Sequence, residues 1–546
     1  MPTLVAYYPP MGDLPYHEGA IGILRHFHDL SRFPKGLYRL NLGEPNQLFH
    51  MFSWAVSYAT STRVAVKLAV SGAVLAIPPC AARLARHLGA SPLAALLVAP
   101  IAVGWLFYWG LVANLIGLAA LLATLPVLDT FARAPTWRGA LKACGAVILL
   151  YFAHEAMMFL FAAAALGLAA LHRWSPKATA LRLVPFVFAG AVTLAQAKWQ
   201  MRFMSPAVRA IPLTWSSSWL KLTFIPHMLC PASDEYALDA MSGLCAATIA
   251  GLFWLRTRER RREGVEVAAG TSRIERARSM LFAFRWEVFA AACLVAYFVF
   301  PRTLNGATFV YHRWFAPGFA ILVLAAAPRD LFVREARVAR LAIAAFPIAT
   351  LLLAWPSFAD SDRSYRALEP LIQQVPLGSS VAGVDLGPMD PSRNYSLGPA
   401  SGRILAERGG RLVYAFTDSA VSPVVMANRY GWNESLVRVG FDSYSFRPAQ
   451  DMYRYQYLLA RAAEPPLALL AIRAMTREAE LVGSNEEWLL FKSRVPTVPL
   501  TARDFWLTGP PPETIRERID ALRAGLSCDG PQSKVEASTP GTAANP

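Results

Sequence analysis

Charge is scarce in this chain: 16% of its 546 residues are Asp, Glu, Lys or Arg, whereas 55% are hydrophobic. A soluble fold of this length would spread ionisable residues over its surface. Here most of them lie in the loops between long apolar runs that stretch from residue 64 to residue 355. Runs of about 15–20 apolar residues match a hydrocarbon core roughly 30 Å thick, in which a charged loop finds no water. The scarcity excludes a soluble protein and leaves a polytopic membrane protein, with the lipid bilayer as its first partner.

Cysteine is sparse as well. The six are Cys80, Cys144, Cys230, Cys245, Cys293 and Cys528; no two have C-x-x-C spacing, and at least four lie in or beside apolar runs. They form neither a zinc site nor a disulfide framework. A P-loop, a dinucleotide fingerprint, a nucleophile elbow and a kinase signature are all missing, and neither His17-Glu18 nor His154-Glu155 extends to H-E-x-x-H. No cleavable signal peptide is visible, because the first apolar run begins near Val64 rather than behind a short basic start.

Positive charge is in excess. The formal charge is +16, with a pI near 9.8 and a mean hydropathy of +0.34. Much of the excess sits in short loops beside apolar runs, where it signals topology, and no clustered basic reader motif supports nucleic-acid binding. Five loops are basic: Arg83 to His87, Arg133 to Lys142, His172 to Arg182, Arg256 to Arg285, and Arg329 to Arg340. If all five are cytoplasmic, the runs between them must cross an even number of times.

That parity predicts a hairpin over 91–131 with its apex near Trp105 to Asn114, and two short helices over 143–171 meeting at His154-Glu155. A span at 183–197 then leads out to a long polar loop, 198–237, and a span at 238–255 returns. The pair 286–301 and 313–327 flanks an external turn, and a last span over 339–355 exits. About ten transmembrane helices result, in an inner (cytoplasmic) membrane, with residues 1–60 external and the transmembrane domain at 61–355. Residues 356–510 read as a small external α/β domain at the C-terminus, and 511–546 as a tail with a disordered end. An external N-terminus implies that a first helix precedes this chain; a short N-tail that translocates unaided is the alternative.

Within the α/β domain, residues 380–385, 411–416 and 487–492 have strand patterns, whereas 364–374 and 450–463 read as helices. Asp360-Ser-Asp362 imitates the D-x-D of nucleotide-sugar enzymes and reads as a solvated linker.

The candidate chemistry gathers on the outer face. Asp13, His17 and Glu18 head a helix-like stretch running to Arg32, with Asp13 and His17 on one face four residues apart. This stretch reads as a surface helix, and Asp13 reads either as its cap or as a catalytic acid. His154 and Glu155, ionisable residues between apolar half-helices, either face a cavity or cap those helices. Arg302, His312 and Arg313 stand at the outer ends of two neighbouring spans, where cations suit a phosphate or snorkel to headgroups. Lys198, Arg202 and Lys221 join them in the 198–237 loop, among Trp199, Trp215 and Trp219.

This arrangement resembles the GT-C class of membrane glycosyltransferases. The likeness rests on Gly12-Asp13-Leu-Pro-Tyr-His17-Glu18 in a first external loop, short paired spans at His154-Glu155, Tyr311-His312-Arg313 opening a late span, and an external α/β domain. It covers most of the chain as layout and a few residues as motif. The resemblance implies transfer of a sugar from a polyprenyl phosphate carrier to a glycan, lipid or protein acceptor, with Asp13 as base or metal ligand. The usual second acid two residues from Asp13 is missing. The chemistry runs parallel: a carboxylate deprotonates an acceptor hydroxyl and cations stabilise the departing phosphate, with Asp13 in the first role and Arg302 and Arg313 in the second. Asp13 with Glu155, or with Glu18, offers oxygen ligands that suit a Mg²⁺ or Mn²⁺ ion. A polytopic transporter is the main alternative, although no internal repeat is visible, and a non-catalytic envelope scaffold is another.

Overall fold

In a computed structural model, the chain is described over residues 2–172, 175–200, 213–229, 235–262, 273–304, 309–332, 336–386, 395–419, 421–427, 442–462, 464–495 and 513–528. Arg202 lies outside these residues, as do all of the last twenty residues, expected to be disordered, except Ser527 and Cys528, which end the helix Ile515–Cys528.

Among the described residues, six helices are long and apolar enough to cross a membrane, and a seventh if Ala277–Ala283 and Arg285–Val299, bent by 80°, count as one span. Shorter apolar helices accompany them at Trp137–Ala153, Glu155–Leu171 and His312–Ala326. Where the sequence predicts a regular outward leg for the 91–131 hairpin, two 3-10 stretches, Pro92–Leu97 and Ala99–Val103, precede a short helix, Trp105–Trp109. Pro92 and Pro100 lack the N–H that an α-helical ladder needs. Gly110 closes the leg in the left-handed region at φ +91°, a conformation that only glycine adopts without strain. The return helix, Val112–Arg133, starts directly behind it.

The expected break at His154 is present. His154 is extended at φ −166°, and its Nδ1 accepts from the Ala156 amide at 3.2 Å to cap the following helix. Gly117 lets it approach the return helix, since a Cβ there would lie 2.5 Å from the His154 Cβ.

The five basic loops meet at one end of the helical bundle. Buried Asp129 accepts from Arg285 at 2.8 and 3.0 Å and from Arg133 at 2.8 Å, and it pairs with His87 at 2.8 Å. Arg182 donates to the Ala132 carbonyl at 2.7 Å, Arg256 pairs with Glu259 at 2.8 Å, and the Arg329 amide donates to Glu259 at 3.2 Å. Because the 22-residue helix Val112–Arg133 runs from Gly110 to this cluster, the Gly110 apex is about 33 Å from the basic end at 1.5 Å per residue.

The predicted boundary at 355/356 is not a break. Helix Arg337–Gln374 continues unbroken for 38 residues, about 57 Å, so it carries the last span straight into the C-terminal domain. Asp360 and Asp362 therefore sit on a helix and not in a linker: Asp360 accepts from the Tyr395 hydroxyl at 2.8 Å, and Asp362 from Arg366 at 2.7 Å.

The domain holds a five-stranded sheet of order β3-β2-β5-β7-β6, formed by β2 (Ser380–Asp385), β3 (Arg411–Leu412), β5 (Tyr457–Arg461), β6 (Ala479–Ser484) and β7 (Trp488–Ser493). β2 pairs in parallel with β3 and β5, and β7 runs antiparallel to β5 and β6. The helix expected over 450–463 is instead the turn-like Pro448–Asp451 followed by β5. All five β5 residues are buried, and a continuous apolar run of that length suits a central strand as well as a helix.

The N-terminal segment is part of the same body. Its β1 (Tyr38–Leu40) pairs antiparallel with β4 (Val424–Met426). Helix Leu14–Arg25 is not a surface helix: it packs on Gly402–Arg408 through small residues, where a Cβ on Gly22 would lie 2.6 Å from the Ala406 Cα and one on Gly402 2.3 Å from the Pro15 carbonyl. It also ends at Arg25 rather than Arg32, and Asp29 takes the Ser31 amide and hydroxyl in a turn beyond it.

Candidate functional site

The site starts at the Gly110 apex. The Gly12 amide donates to the Tyr108 carbonyl at 2.8 Å and the Asp13 amide to the Trp109 carbonyl at 3.1 Å, which hangs the N-terminal loop on the hairpin tip. A Cβ on Gly110 would lie 2.6 Å from the Asp13 nitrogen, so no larger residue fits beneath the loop. Asp13 occupies the N-cap position of Leu14–Arg25, yet its side chain makes no capping hydrogen bond, which removes the capping alternative. The residue is half-buried, and burial raises its carboxyl from the usual carboxylate range to about 7.

His17 follows one turn later, its amide bonded to the Asp13 carbonyl at 3.2 Å. Its Nδ1 is 2.9 Å from the Nε2 of His50, and its ring lies 4.3 Å from that of Phe416. Burial, followed by the neighbouring His50, pushes His17 well below the usual imidazole value, and burial takes His50 down to about 4. Both rings are therefore neutral at physiological pH.

Glu18 is elsewhere. It is fully buried, accepting from Tyr8 at 2.9 Å and Thr62 at 3.0 Å and pairing with Arg403 at 2.9 Å. With three protein donors on its buried carboxylate, Glu18 has the surroundings of a structural anchor rather than those of the catalytic group the sequence suggests.

A second cluster faces the His154 break. Asn46, at φ +65°, accepts from the Glu155 main-chain amide through its side-chain oxygen at 2.8 Å while its main-chain amide donates to the Tyr151 carbonyl at 3.1 Å. The Glu155 carboxylate bonds to Asn46 and Gln196 and faces Arg313. The segment bearing Asn46 and His50 thus joins the Asp13 apex to the His154-Glu155 break. His312 is buried, with its ring stacked on Trp105 at 4.2 Å, so it fills an aromatic column rather than presenting a charge. Lys221 is buried too, donating to the Phe298 and Phe300 carbonyls at 2.7 Å. Arg302 and Lys198 are exposed.

Metal ligation finds no matching donor set. Glu155 is engaged by Arg313 and two amides, and among the described residues no group of three or more His, Cys, Asp or Glu could hold a metal ion. Asp13 is left as a single carboxylate next to neutral imidazoles. Sequence reasoning missed His50 and Asn46. The signal for Asn46 is its tolerance of the left-handed region, and for His50 a polar residue in an apolar stretch.

No protein-family model and no curated protein matches the chain. Among solved structures, ArnT from Cupriavidus metallidurans in the apo state aligns with a TM-score of 0.51 at 11% identity, over 90% of this chain and 94% of that one. The structure of ArnT from Cupriavidus metallidurans bound to undecaprenyl phosphate gives a TM-score of 0.49 at 10% identity, over 89% and 94%. At such identity the likeness is one of fold: the chain shares its overall architecture with ArnT, in keeping with the resemblance in layout seen in the sequence.

Proposed function

We propose that the protein is a membrane glycosyltransferase that moves a sugar from a polyprenyl phosphate carrier to an envelope acceptor. In this reading the basic loops are cytoplasmic, the chain spans the inner membrane about ten times, and Asp13 and the C-terminal domain face outward. The observation that carries it is the Asp13 carboxyl, which has no hydrogen-bond partner among the described residues and is raised to about 7 at the tip of the hairpin.

The chemistry fits one carboxylate. The acceptor hydroxyl oxygen attacks the anomeric carbon, its proton passes to Asp13, and the bond from that carbon to the phosphate oxygen breaks with its electron pair on the leaving polyprenyl phosphate. A general base raised toward neutral pH is well matched to a weakly acidic hydroxyl. Guanidinium groups stabilise the departing charge: Arg313, behind the His154-Glu155 break, and exposed Arg302 are the candidates. Neutral His17 and His50 keep positive charge away from Asp13, so the proton it takes up is not repelled.

The test is sugar consumption from a panel of radiolabelled polyprenyl-phosphate sugars in membranes carrying native acceptors, with wild type and Asp13→Asn side by side. The expected result is turnover in the wild type and none in Asp13→Asn at equal expression. Equal turnover in both would move the base to another residue, and none in the wild type across the panel would remove the transferase reading.

A further inference from the structure

The outer face also carries a run of stacked rings that the proposed chemistry leaves unused. Trp109 stacks on Trp105 at 5.7 Å with an interplanar angle of 19°, Trp105 on His312 at 4.2 Å and 14°, and His312 on Tyr311 at 3.9 Å and 26°. The far end is closed: the Lys221 Nζ sits 4.5 Å from the Tyr311 ring centre and is itself fixed by two main-chain carbonyls. The near end is open, with Trp109 37% exposed, whereas His312 and Tyr311 are buried.

Three features set the open end apart from an ordinary interfacial tryptophan. Its main-chain carbonyl takes the Asp13 amide at 3.1 Å, so the residue is tied directly to the main chain of the candidate base. Its edge is clamped by Phe309, 4.4 Å away at 67°, which is one of only two described non-glycine residues in the left-handed region, at φ +58°. A bulky residue held there is strained, and such strain collects at ligand sites. Finally, the Trp109 indole N–H makes no hydrogen bond among the described residues, which leaves a donor beside the ring face.

We propose that Trp109 is a carbohydrate-stacking platform that binds the sugar ring of the lipid-linked donor beside Asp13. A sugar ring has one face of C–H groups, and the negative face of an indole attracts such polarised hydrogens, while ring hydroxyls reach donors at the rim. The ring column holds the platform in place before binding, so little ordering entropy is lost on contact. The platform recognises a ring and not its substituents, and it makes the sugar, in addition to the phosphate, a determinant of donor binding. This assignment rests on the glycosyl-transfer reading above and adds the contact that holds the sugar.

The full-length protein in lipid nanodiscs is titrated with decaprenyl phosphate and with the same lipid carrying a hexose or a pentose. The quantity read is the ratio of the two dissociation constants, bare lipid over glycosylated lipid, for wild type, Trp109→Phe and Trp109→Leu. An aromatic contact of this kind corresponds to about a 5- to 10-fold ratio in the wild type. It falls to near unity in Trp109→Leu, which keeps the apolar bulk that a headgroup anchor needs, and to an intermediate value in Trp109→Phe, which also serves if the leucine variant fails to fold. A ratio unchanged in both variants overturns the platform and leaves the transferase reading standing, as does a ratio of unity in the wild type when both lipids bind. Failure of the wild type to bind either lipid overturns both.

Discussion

Glu18 Oε1 lies 2.9 Å from Arg403 Nη1, with both side chains buried, and this pair joins the N-terminal segment to the C-terminal domain. Thr62, in the first turn of the first span, donates to the same carboxylate at 3.0 Å. Arg403 also pairs with Glu369 at 2.7 Å and with Glu407. One buried guanidinium therefore ties together the N-terminal helix, the long helix Arg337–Gln374 and the short helix Gly402–Arg408.

Glu18→Gln leaves that guanidinium short of its most buried counter-charge, which typically costs 3–5 kcal/mol when a buried pair is broken on one side. Because Glu369 and Glu407 remain, the expected loss is about 3 kcal/mol. It is measured as a fall in Tm and faster proteolysis of the C-terminal domain, with turnover per folded molecule within about 2-fold of wild type. A collapse of turnover at unchanged Tm would return Glu18 to the catalytic group.

Titration of Asp13 separates catalysis from stability. A base works only when ionised, so transfer rises with pH through about 7 and then levels off. Stability runs the other way. Because the folded carboxyl is raised above its unfolded value of about 3.9, its contribution is fully present below that value and is lost as pH rises through about 7. Asp13→Asn is neutral at every pH, so its Tm exceeds that of wild type above pH ~7 and the two converge below pH ~4. The check is Tm against pH for both proteins; equal Tm values across the range would place the Asp13 carboxyl in the ordinary carboxylate range.

The large features were legible because hydrophobicity and charge are averaged over many residues. Arginine placement alone predicts the hairpin tip, the break at His154 and the joining of five basic loops, which the structure gathers around Asp129 and Glu259. Local pattern failed where tertiary burial decides. The run 457–461 reads equally as helix or strand until β2 and β7 flank it. The apolar face of Leu14–Arg25 is the same whether it meets lipid or Gly402–Arg408. Asp13 was visible because glycine and proline frame it, whereas Arg403 carries no signal at all: its meaning depends on Glu18, 385 positions away. Neighbouring acids such as Glu18 look alike in sequence and differ in the structure only by which donors surround them.

The Gly110 apex gives a substitution whose effect should be almost purely geometric. At φ +91° an alanine is strained, by about 1 kcal/mol, and its Cβ would fall 2.6 Å from the Asp13 nitrogen and 3.0 Å from the Asp13 Cα and Cβ. Something must move, and the loop carrying Asp13 is held to the tip by the Gly12 and Asp13 amides and by a hydrogen bond from His17 to the Gly110 main chain. Gly110→Ala is therefore expected to lower transfer by about 100-fold, the scale set by displacing a reacting group by an ångström, with Tm falling only a few degrees. As Asp13 lifts toward water, its desolvation weakens, so the midpoint of the pH–rate profile should also shift below 7. Gly72→Ala is the control: nothing lies within 4 Å of a Cβ there, and it sits inside a helix, so alanine should keep full transfer and gain about 0.5–1 kcal/mol. Loss of activity in Gly110→Ala with the pH midpoint unmoved would mean that the tip supports the fold without positioning the carboxylate.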